Sequence, residues 1–574
     1  MRLAGILCCT VAVLSSAQHA GAGVILGPDF TRAQVIAPHV DGTAFVAGDG
    51  PETFPVMRID PGLSDPLWLR EIPAVPIGSP SSFLPPRLVL SPVGDPVVSV
   101  SDATGLQVHR FDGQTGTTHW QVAVADVQTS GWARAVSVDA VGDVLVAGSA
   151  VLQSLAEPAF LVVKLDGDDG TEVWRYVIPE LGNDLVWADA AVPLPSGDVL
   201  AAGFAGGDVH VVKLAGADGA EIWHYTTPAP PPDGAATDYT ALVADAGGDA
   251  FVAMTGIRLS VLRLDGTDGT ETWRYDTPET SAEFPTVAIA PDGDVVASGG
   301  FRLVKLAAAD GVPIWNVPMG STARPLVNGD GNVLVVRWAP LEIAKHEGTS
   351  GALLAAETFV PPNGDWFSGP YAPAIDDWTA FVGQKVVGVG RAGSDSSGQG
   401  FAAFAFGDRL SGVKLLLKDP GDPSVRKLRL VSKDRAFMTP APEDASAPTA
   451  AGATLEISNP VSGEFTAISL PAAGWTVRPP NTFGGTLYKY LDRALANGPC
   501  KVVVLKGNRV LKAKCDGAQL AYTLDEATQG TIDVRLVLAG GFARCLSFGG
   551  PLRDEPGQFI VKNAPAPATC SGGL

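Results

Sequence analysis

The segments RFDGQTGTTHW (110–120), KLDGDDGTEVW (164–174) and RLDGTDGTETW (263–273) decide the fold of this 574-residue chain. Each contains the end of an alternating apolar run, a turn built from Asp and Gly, and a second run that ends in Trp. Alternation is typical of β-strands, and glycine permits the positive φ that tight hairpin turns require. Further copies occur at RIDPGLSDPLW (58–68), KLAGADGAEIW (213–223), KLAAADGVPIW (305–315) and KHEGTSGALLA (345–355). The pattern predicts a β-hairpin at each of these places.

A second hairpin pattern precedes each of these segments. It consists of two short apolar runs around a Gly-Asp or Asp-Gly turn, as in VPLPSGDVLAAG (192–203) and AIAPDGDVVASGG (288–300). The repeat tryptophans follow one another at spacings of 42–54 residues, so each repeat contains four short strands. Four-stranded units at this period indicate the blades of an all-β fold, the β-propeller. We count eight blades, with seven as the alternative, because the eighth pairs FVGQKVVGVG (381–390) with only a degenerate second half, FAAFAFGDRLSG (401–412).

The pattern DG-x-x-G-x-x-x-W resembles the tryptophan-docking repeat of the quinoprotein family. That family includes pyrroloquinoline quinone (PQQ) dehydrogenases, and also non-enzymatic propellers such as the outer-membrane assembly lipoprotein. The resemblance implies that each tryptophan packs across a seam against the next blade, because a large aromatic buries area that one sheet alone cannot cover. The tryptophans that match this structural position are Trp68, Trp120, Trp174, Trp223, Trp273 and Trp315. Such a repeat does not by itself imply the cofactor.

The residues that quinone chemistry needs cannot be placed on this sequence. Many alcohol-oxidising members of the family have a vicinal cysteine pair beside the quinone, whereas residues 23–412 contain no cysteine. Asp166, Asp168 and Asp169 look like part of a calcium loop, but position twelve is Val177 instead of Glu. We therefore interpret these aspartates as turn residues. We expect no catalytic residue, no metal site and no bound cofactor, and cofactor-binding residues stay unassigned; PQQ and calcium belong only to the alternative hypothesis of a dehydrogenase.

Other chemical signals are equally weak. GVGRAG (388–393) matches a dinucleotide fingerprint, which should open a helix, but SDSSGQG (394–400) follows it and predicts a loop. No nucleophile-elbow serine motif is found. Six histidines follow residue 22, and none forms a close pair with metal-ligand spacing; they are His39, His109, His119, His210, His224 and His346. We interpret His119 and His224, which adjoin repeat tryptophans, as surface residues of strands.

The C-terminal segment, residues 413–574, contains four cysteines and many short β-rich runs bounded by Pro, Gly and Asp. These runs predict a β-sandwich-like domain or a distorted barrel. An even number of cysteines in an exported chain indicates disulfides, and four cysteines allow three connectivities. Cys500 and Cys515 flank two β-rich runs around the turn signal Gly507-Asn508, which favours their cross-strand pairing. Cys545 would then pair with Cys570.

The N-terminus has the pattern of a cleaved signal peptide over residues 1–22. Arg2 is followed by an apolar stretch that is too short to span a bilayer, and Ala20-Gly21-Ala22 is a small-residue cleavage pattern. No later apolar run is long enough to span, so we expect no membrane span. The sequence therefore predicts a secreted, periplasmic or cell-surface protein, with a propeller at 23–412 and a disulfide-stapled domain at 413–574.

The charge of the chain is unevenly distributed. Residues 413–574 contain 19 Lys and Arg against 14 Asp and Glu, a net charge of +5, which leaves −26 for residues 1–412 in a chain of net charge −21. So acidic a chain is not expected to bind nucleic acid. We interpret the protein as an exported, non-enzymatic propeller that binds or scaffolds a protein or a surface polymer. The alternatives are a quinone-dependent dehydrogenase and a cell-surface adhesion or carbohydrate-binding protein.

Overall fold

The structure is a computed structural model, dominated by β-strands. It describes residues 32–567 and Cys570, except for residues 40, 42, 50–52, 60–65, 76–85, 128–130, 156, 180–185, 229–239, 256–257, 279–284, 300, 320–323, 339–340, 360–378, 383–384, 393–399, 435–436, 479–485, 508 and 568–569. The proposed signal peptide, residues 1–22, therefore lies outside the described residues. The helical segments within the described part are one short α-helix, α1 (Pro448–Ala451), and two 3-10 turns at Pro423–Val425 and Ala472–Gly474.

The first 31 strands form eight antiparallel sheets, and the strands of each sheet pair in chain order. Sheets one and two contain β1 (Arg32–Pro38), β2 (Ala44–Asp49), β3 (Thr53–Ile59), β4 (Trp68–Pro73), β5 (Arg87–Leu90), β6 (Pro96–Asp102), β7 (Gly105–Phe111) and β8 (Thr118–Ala123). Sheets three and four contain β9 (Trp132–Val138), β10 (Val144–Val151), β11 (Pro158–Leu165), β12 (Glu172–Pro179), β13 (Trp187–Pro193), β14 (Val199–Ala205), β15 (Asp208–Leu214) and β16 (Glu221–Pro228).

The remaining four sheets continue the same order. Sheets five and six contain β17 (Thr240–Ala244), β18 (Ala250–Thr255), β19 (Leu259–Leu264), β20 (Glu271–Asp276), β21 (Thr286–Ile289), β22 (Val295–Gly299), β23 (Arg302–Leu306) and β24 (Pro313–Pro318). Sheets seven and eight contain β25 (Arg324–Val327), β26 (Val333–Trp338), β27 (Leu341–His346), β28 (Leu353–Phe359), β29 (Thr379–Val382), β30 (Lys385–Ala392) and β31 (Gly400–Gly407). Seven sheets thus have four strands, and the eighth has three among the described residues.

The eight sheets are the blades of a closed propeller. The first strands of successive blades contact one another, as β9 contacts β13 and β13 contacts β17, so these first strands are innermost. The ring closes where β1 of blade 1 contacts β29, β30 and β31 of blade 8. The prediction of eight blades is confirmed, and the seven-bladed alternative is not what the chain forms.

The burial of the strands follows from their place in a blade. The second strand is buried along its whole length, as in β14, because neighbouring blades cover both of its faces. The fourth strand is mostly exposed and buries its tryptophan, as β16 buries Trp223. The repeat therefore has an apolar second strand and a polar fourth strand interrupted by one large aromatic.

The C-terminal segment forms a β-sandwich. Its strands are β32 (Gly412–Lys418), β33 (Lys427–Ser432), β34 (Ala453–Ser458), β35 (Phe465–Leu470), β36 (Trp475–Arg478), β37 (Leu487–Leu491), β38 (Cys500–Lys506), β39 (Val510–Asp516), β40 (Ile532–Leu538), β41 (Arg544–Phe548), β42 (Arg553–Glu555) and β43 (Gln558–Ala564). One sheet has eight strands in the order β36-β37-β38-β39-β33-β32-β43-β42, and the other has four in the order β35-β34-β40-β41. Apolar side chains of both sheets share one core, as in other sandwiches.

The cysteines of the sandwich form two disulfides. Cys500 is bonded to Cys515 and Cys545 to Cys570, which is the connectivity that the sequence favours. The hairpin of β38 and β39 turns between Lys506 and Val510, so an unbroken register would not place the two cysteines opposite each other. A bulge between Cys500 and Val502 restores that opposition.

The propeller and the sandwich meet at a joint on blade 7. Glu357 of β28 binds the guanidinium of Arg544 of β41 through both carboxylate oxygens, and both side chains are inaccessible, at 0% and 1% exposure. The Phe542 backbone N–H also donates to this carboxylate, at 2.7 Å. Backbone hydrogen bonds run on either side, from Ala356 N to Gly540 O and from Ala441 N to Thr358 O. The sandwich therefore covers the outer edge of blade 7, which would otherwise be an open strand edge.

Candidate functional site

The seams between blades are built by the repeat tryptophans. All six are buried, and each indole Nε1–H donates to a backbone carbonyl of the next blade at 2.9–3.2 Å. The pairs, each donor given before its acceptor, are Trp68 to Gly113, Trp120 to Gly167, Trp174 to Gly216, Trp223 to Gly266, Trp273 to Ala308 and Trp315 to Gly348. These contacts correspond to the docking that the resemblance implies for the six residues.

The last glycine of each turn is fitted to the tryptophan of the preceding blade. At Gly219, φ is +71°, and a Cβ would lie 2.7 Å from the Trp174 ring. At Gly269, φ is +76°, and a Cβ would lie 2.7 Å from the Trp223 ring. Glycine is required here both for the left-handed backbone and for the close approach of the ring.

A basic residue of each repeat binds the same carbonyl as the tryptophan. The donors, with their acceptor carbonyls, are Arg58 to Gly113, Arg110 to Gly167, Lys164 to Gly216, Lys213 to Gly266, Arg263 to Ala308 and Lys305 to Gly348. Sequence analysis missed this role, although the signal is visible as Lys or Arg two positions before the turn of every quoted repeat. Each of these six seams is thus closed by two donors on one acceptor, one neutral and one charged.

The turn aspartates hold these cations in place. Lys164 is 3.0 Å from Asp139 and 3.1 Å from Asp143, and Asp143 also accepts the Gly167 N–H. Burial lowers the pKa of Lys164, but hydrogen bonds to the two carboxylates outweigh burial and hold the pKa above its ordinary value. The aspartates of the hairpins therefore do more than form turns, because they neutralise the cation that closes the seam.

The calcium-like loop and the dinucleotide-like motif are ordinary β-structure. Asp166 accepts the backbone N–H of Asp168, and Asp169 accepts that of Thr171, which are the bonds of Asx turns. Residues 388–392 of GVGRAG belong to β30, and residue 393 lies outside the described part. Because the motif lies in a strand instead of opening a helix, it lacks the geometry of a dinucleotide site.

An inner-strand cluster lies where the first strands of blades 3 and 4 begin. We use this name for Trp132, Arg134, Trp187 and Asp189. Arg134 and Asp189 are the bulged residues of β9 and β13, and a bulge re-aims its side chain. The Arg134 guanidinium stacks between Trp132 and Trp187, 4.7 and 4.5 Å from the ring centroids, and its Nε donates to Asp189 at 2.6 Å.

Hydrogen bonds extend this cluster over four blades. Arg87 of blade 2 donates to the Arg134 carbonyl at 2.6 Å, and Asp189 accepts two bonds from Thr240 of blade 5. Burial raises the pKa of Asp189, while the Arg134 guanidinium and the Thr240 donors oppose that shift. Cation–π contacts and an ion pair thus join the innermost strands of neighbouring blades.

Two groups of side chains that carry metal-ligating atoms converge closely. One contains Asp95, Asp112 and His119, and the other contains Glu464, Asp525 and Glu526. In the first group, Asp95 binds Arg110 at 3.0 Å and the Gly113 N–H at 2.9 Å, so this carboxylate belongs to a seam. Neither group contributes a second feature that indicates an ion.

The histidines fall into different environments. His119 and His224 lie on the surface of fourth strands, whereas His109 and His346 are buried. The hairpin of β15 and β16 places His210 Nδ1 2.8 Å from His224 Nε2. Spacing along the chain did not reveal this pair, because the two residues are brought together diagonally across two strands.

His109 should make the stability of the propeller depend on pH. Burial lowers its pKa from the ordinary value of 6.5 to about 4, with Asp102 opposing the shift. Between these two values the unfolded chain is protonated and the folded one is not, so stability falls as pH falls from 6.5 to 4, by about 3 kcal/mol in total. Urea unfolding at several pH values should show this loss in the native protein and its absence in His109→Phe.

The exposed His119 provides the control for that measurement. His119→Phe should keep the loss of stability between pH 6.5 and 4, because it leaves the buried His109 in place and changes a side chain that is 42% exposed. An unchanged pH profile in His109→Phe would contradict the assignment of the effect to His109.

The outer face of the eight-stranded sheet is basic and interleaved with aliphatic residues. We call it the basic face. One row across the strands reads Lys562, Lys414, Val431, Lys512, Val504 and Lys489, and the next row contains Ile560, Leu416, Arg429, Lys514 and Val502. The opposite faces of these strands are buried in the sandwich core, as alternation requires.

Like charges lie directly opposite one another on the basic face. Lys414 is paired with Lys562, and Arg429 is paired with Lys514. Opposed like charges destabilise a sheet unless an anion neutralises them, and Asp516 does so for Arg429 at 2.6 Å. The basic face thus has the chemistry of a surface for an acidic partner. No helix within the described residues is long and apolar enough to span a membrane.

Fold and seams together define the class: this chain is a PQQ-type repeat β-propeller with a C-terminal β-sandwich. Residues 87–256 and 240–383 match the family described as "Outer membrane protein assembly factor BamB". These matches span more than half of the chain, and the chain belongs to this family. Comparison with curated proteins gives no significant match.

The chain is also similar to several solved propellers. BamB from Moraxella catarrhalis is 14% identical, with 66% of this chain and 100% of that one covered and a TM-score of 0.39. The quinohemoprotein alcohol dehydrogenase ADHIIG from Pseudomonas putida is 12% identical, with 68% and 77% covered and a TM-score of 0.40. Sqt1 from Saccharomyces cerevisiae is 10% identical, with 68% and 97% covered and a TM-score of 0.44.

Proposed function

We propose that this protein is an exported, non-enzymatic scaffold that binds an acidic protein outside the cytoplasm through the basic face of its sandwich. The observation that carries the proposal is the row Lys562–Lys414–Val431–Lys512–Val504–Lys489, which combines four lysines with two valines across six strands. Lysines supply steering and orientation, and the aliphatic residues between them supply area that a partner can bury.

Two further observations support a scaffold. The buried pair of Glu357 and Arg544 joins the sandwich to blade 7, so the basic face is held at a fixed place relative to the propeller. The family to which the chain belongs is described as an outer-membrane protein assembly factor, which is consistent with a protein partner. Two disulfides and the signal-peptide pattern support export, since disulfides persist in oxidising compartments.

Binding of poly-L-glutamate, a defined acidic peptide, tests the basic face directly. Lys512→Glu should weaken binding roughly tenfold at moderate salt, because the reversed charge repels the polymer at the centre of the row. Arg535→Glu is the matched control, since Arg535 lies outward on the other sheet and pairs with Glu456. Calorimetric titration should show the loss only in Lys512→Glu. Equal weakening in both variants would contradict a binding site on this face.

The competing hypothesis of a quinone-dependent dehydrogenase needs its own measurement. Purified protein would be incubated with PQQ and calcium, and both binding and alcohol-dependent dye reduction would be followed. We expect neither stoichiometric binding nor turnover, because residues 23–412 contain no vicinal cysteine pair and the family's calcium ligands cannot be placed on this sequence. Turnover with alcohol would overturn the scaffold proposal. Retention on a neutral glycan instead of poly-L-glutamate would favour the adhesion or carbohydrate-binding alternative.

A further inference from the structure

His210 and His224 form a pair in which a ring nitrogen of one histidine faces a ring nitrogen of the other. His210 lies on β15 and His224 on β16, both in blade 4, and His210 Nδ1 is 2.8 Å from His224 Nε2. The ring centroids are 5.1 Å apart, and the rings are tilted by 52°. The His224 side chain is 27% exposed, so an ion from solvent can reach the pair.

The other nitrogen of each ring already has an acceptor. His210 Nε2 lies 3.0 Å from the carbonyl oxygen of Ala205, which can only accept, so this nitrogen carries the proton. His224 Nδ1 lies 3.3 Å from a carboxylate oxygen of Glu221, which favours a proton there as well. The Tyr176 hydroxyl donates to the same oxygen at 2.5 Å and holds Glu221 in place.

These tautomers leave two nitrogen lone pairs facing each other. In neutral imidazole one nitrogen donates and the other accepts, so His210 Nδ1 and His224 Nε2 are both acceptors. Two facing acceptors repel each other unless a proton or a metal cation lies between them. Histidines that bind metal characteristically donate their other N–H to a carboxylate or a backbone carbonyl, and Glu221 and Ala205 provide one of each.

We propose that His210 Nδ1 and His224 Nε2 bind a zinc ion on the outer edge of blade 4. Zinc takes imidazole nitrogens at about 2.0–2.1 Å in tetrahedral geometry, which corresponds to about 3.3 Å between two such ligands. The two nitrogens would therefore separate by about 0.5 Å, a shift that rotation of the partly exposed His224 ring supplies. Two positions of the ion would stay open to water, so the site is reversible and accessible.

Zinc titration of the full-length protein at neutral pH tests this site. His210→Ala and His224→Ala should each weaken zinc binding at least tenfold, and Glu221→Gln should weaken it about tenfold or more because Glu221 orients His224. The matched control is His119→Ala, which removes an exposed histidine on the equivalent strand of blade 2 and should leave affinity unchanged. Loss of zinc binding in His119→Ala alone would assign the ion to the group of Asp95, Asp112 and His119 and overturn the proposal.

Imidazole ¹⁵N resonances provide a measurement that does not depend on substitution. Zinc should shift His210 Nδ1 and His224 Nε2 to the positions of metal-bound nitrogens and leave His210 Nε2 protonated. If saturating zinc left both resonances unchanged and one of the facing nitrogens proved to be protonated, a shared proton would fill the gap and the proposal would be wrong. Comparison of urea unfolding for each variant without zinc would show that loss of binding does not arise from loss of the fold.

Discussion

Trp223→Ala should lower the free energy of unfolding of the propeller by about 3–5 kcal/mol, as for other large buried aromatics. Trp223 is 7% exposed, packs within the core between blades 4 and 5, and donates its Nε1–H to Gly266 O at 3.2 Å. The substitution leaves a cavity at the seam and removes one of the two donors to that carbonyl, while Lys213 keeps the other. Urea unfolding followed by intrinsic fluorescence and circular dichroism would measure the loss.

Ile222→Ala is the matched control for that substitution. Ile222 adjoins Trp223 on β16, but it is 47% exposed, so its truncation should change the free energy of unfolding by no more than about 0.5 kcal/mol. Similar losses in Ile222→Ala and Trp223→Ala would mean that the seam does not depend on the indole. That result would contradict the structural role that we assign to all six tryptophans.

A double substitution examines the fit between the indole and the glycine turn. Gly269→Ala places a Cβ 2.7 Å from the Trp223 ring at a φ of +76°, so the single variant suffers both a clash and backbone strain. In the Trp223→Ala background the clash is absent, and only the backbone strain should remain. The two losses should therefore sum to more than the loss of the double variant. Strict additivity would show that the ring and the turn do not contact each other in solution.

The period of the repeat made the propeller predictable, because both the tryptophans and the glycine turns are local in sequence. The docking positions could be assigned before any geometry was known. The role of Lys164 and its equivalents was missed, because it depends on the register of three strands and on the approach of the next blade. The sequence pattern of a strand shows which face a side chain lies on. It does not show whether that side chain is exposed to solvent or donates to a carbonyl of the next blade.

Contacts between distant segments were beyond the reach of sequence patterns. His210 and His224 are 14 residues apart, and the hairpin register alone brings their rings together. Arg134 and Asp189 are each the extra residue of a β-bulge, and the bulge sets the direction of the side chain. The alternation of apolar residues does not predict where such a bulge lies. Glu357 and Arg544 are 187 residues apart and belong to different parts of the chain. Their pairing depends on how the sandwich docks onto blade 7.

Removing one partner of that joint should cost about 3–5 kcal/mol, because it leaves the other charge buried without compensation. Glu357→Ala exposes the Arg544 guanidinium to an apolar interior, and it also removes the acceptor of the Phe542 N–H. Arg553→Met is the matched control, since Arg553 and Glu555 form a salt bridge that is about half exposed and should contribute at most about 1 kcal/mol. Thermal unfolding should give one transition in the native protein and separate propeller and sandwich transitions in Glu357→Ala.

The double variant Glu357→Met/Arg544→Met separates the charge from the contact. Replacing both members of a buried ion pair by apolar residues of similar volume is often close to neutral, whereas breaking the pair is not. Here the Phe542 N–H and the Met438 carbonyl lose their side-chain partners in the double variant, so recovery should be partial. Unfolding measurements should thus rank the double variant between the native protein and Glu357→Ala. If the double variant were the least stable of the three, the joint would depend on the ion pair's own attraction more than on avoiding an unpaired charge.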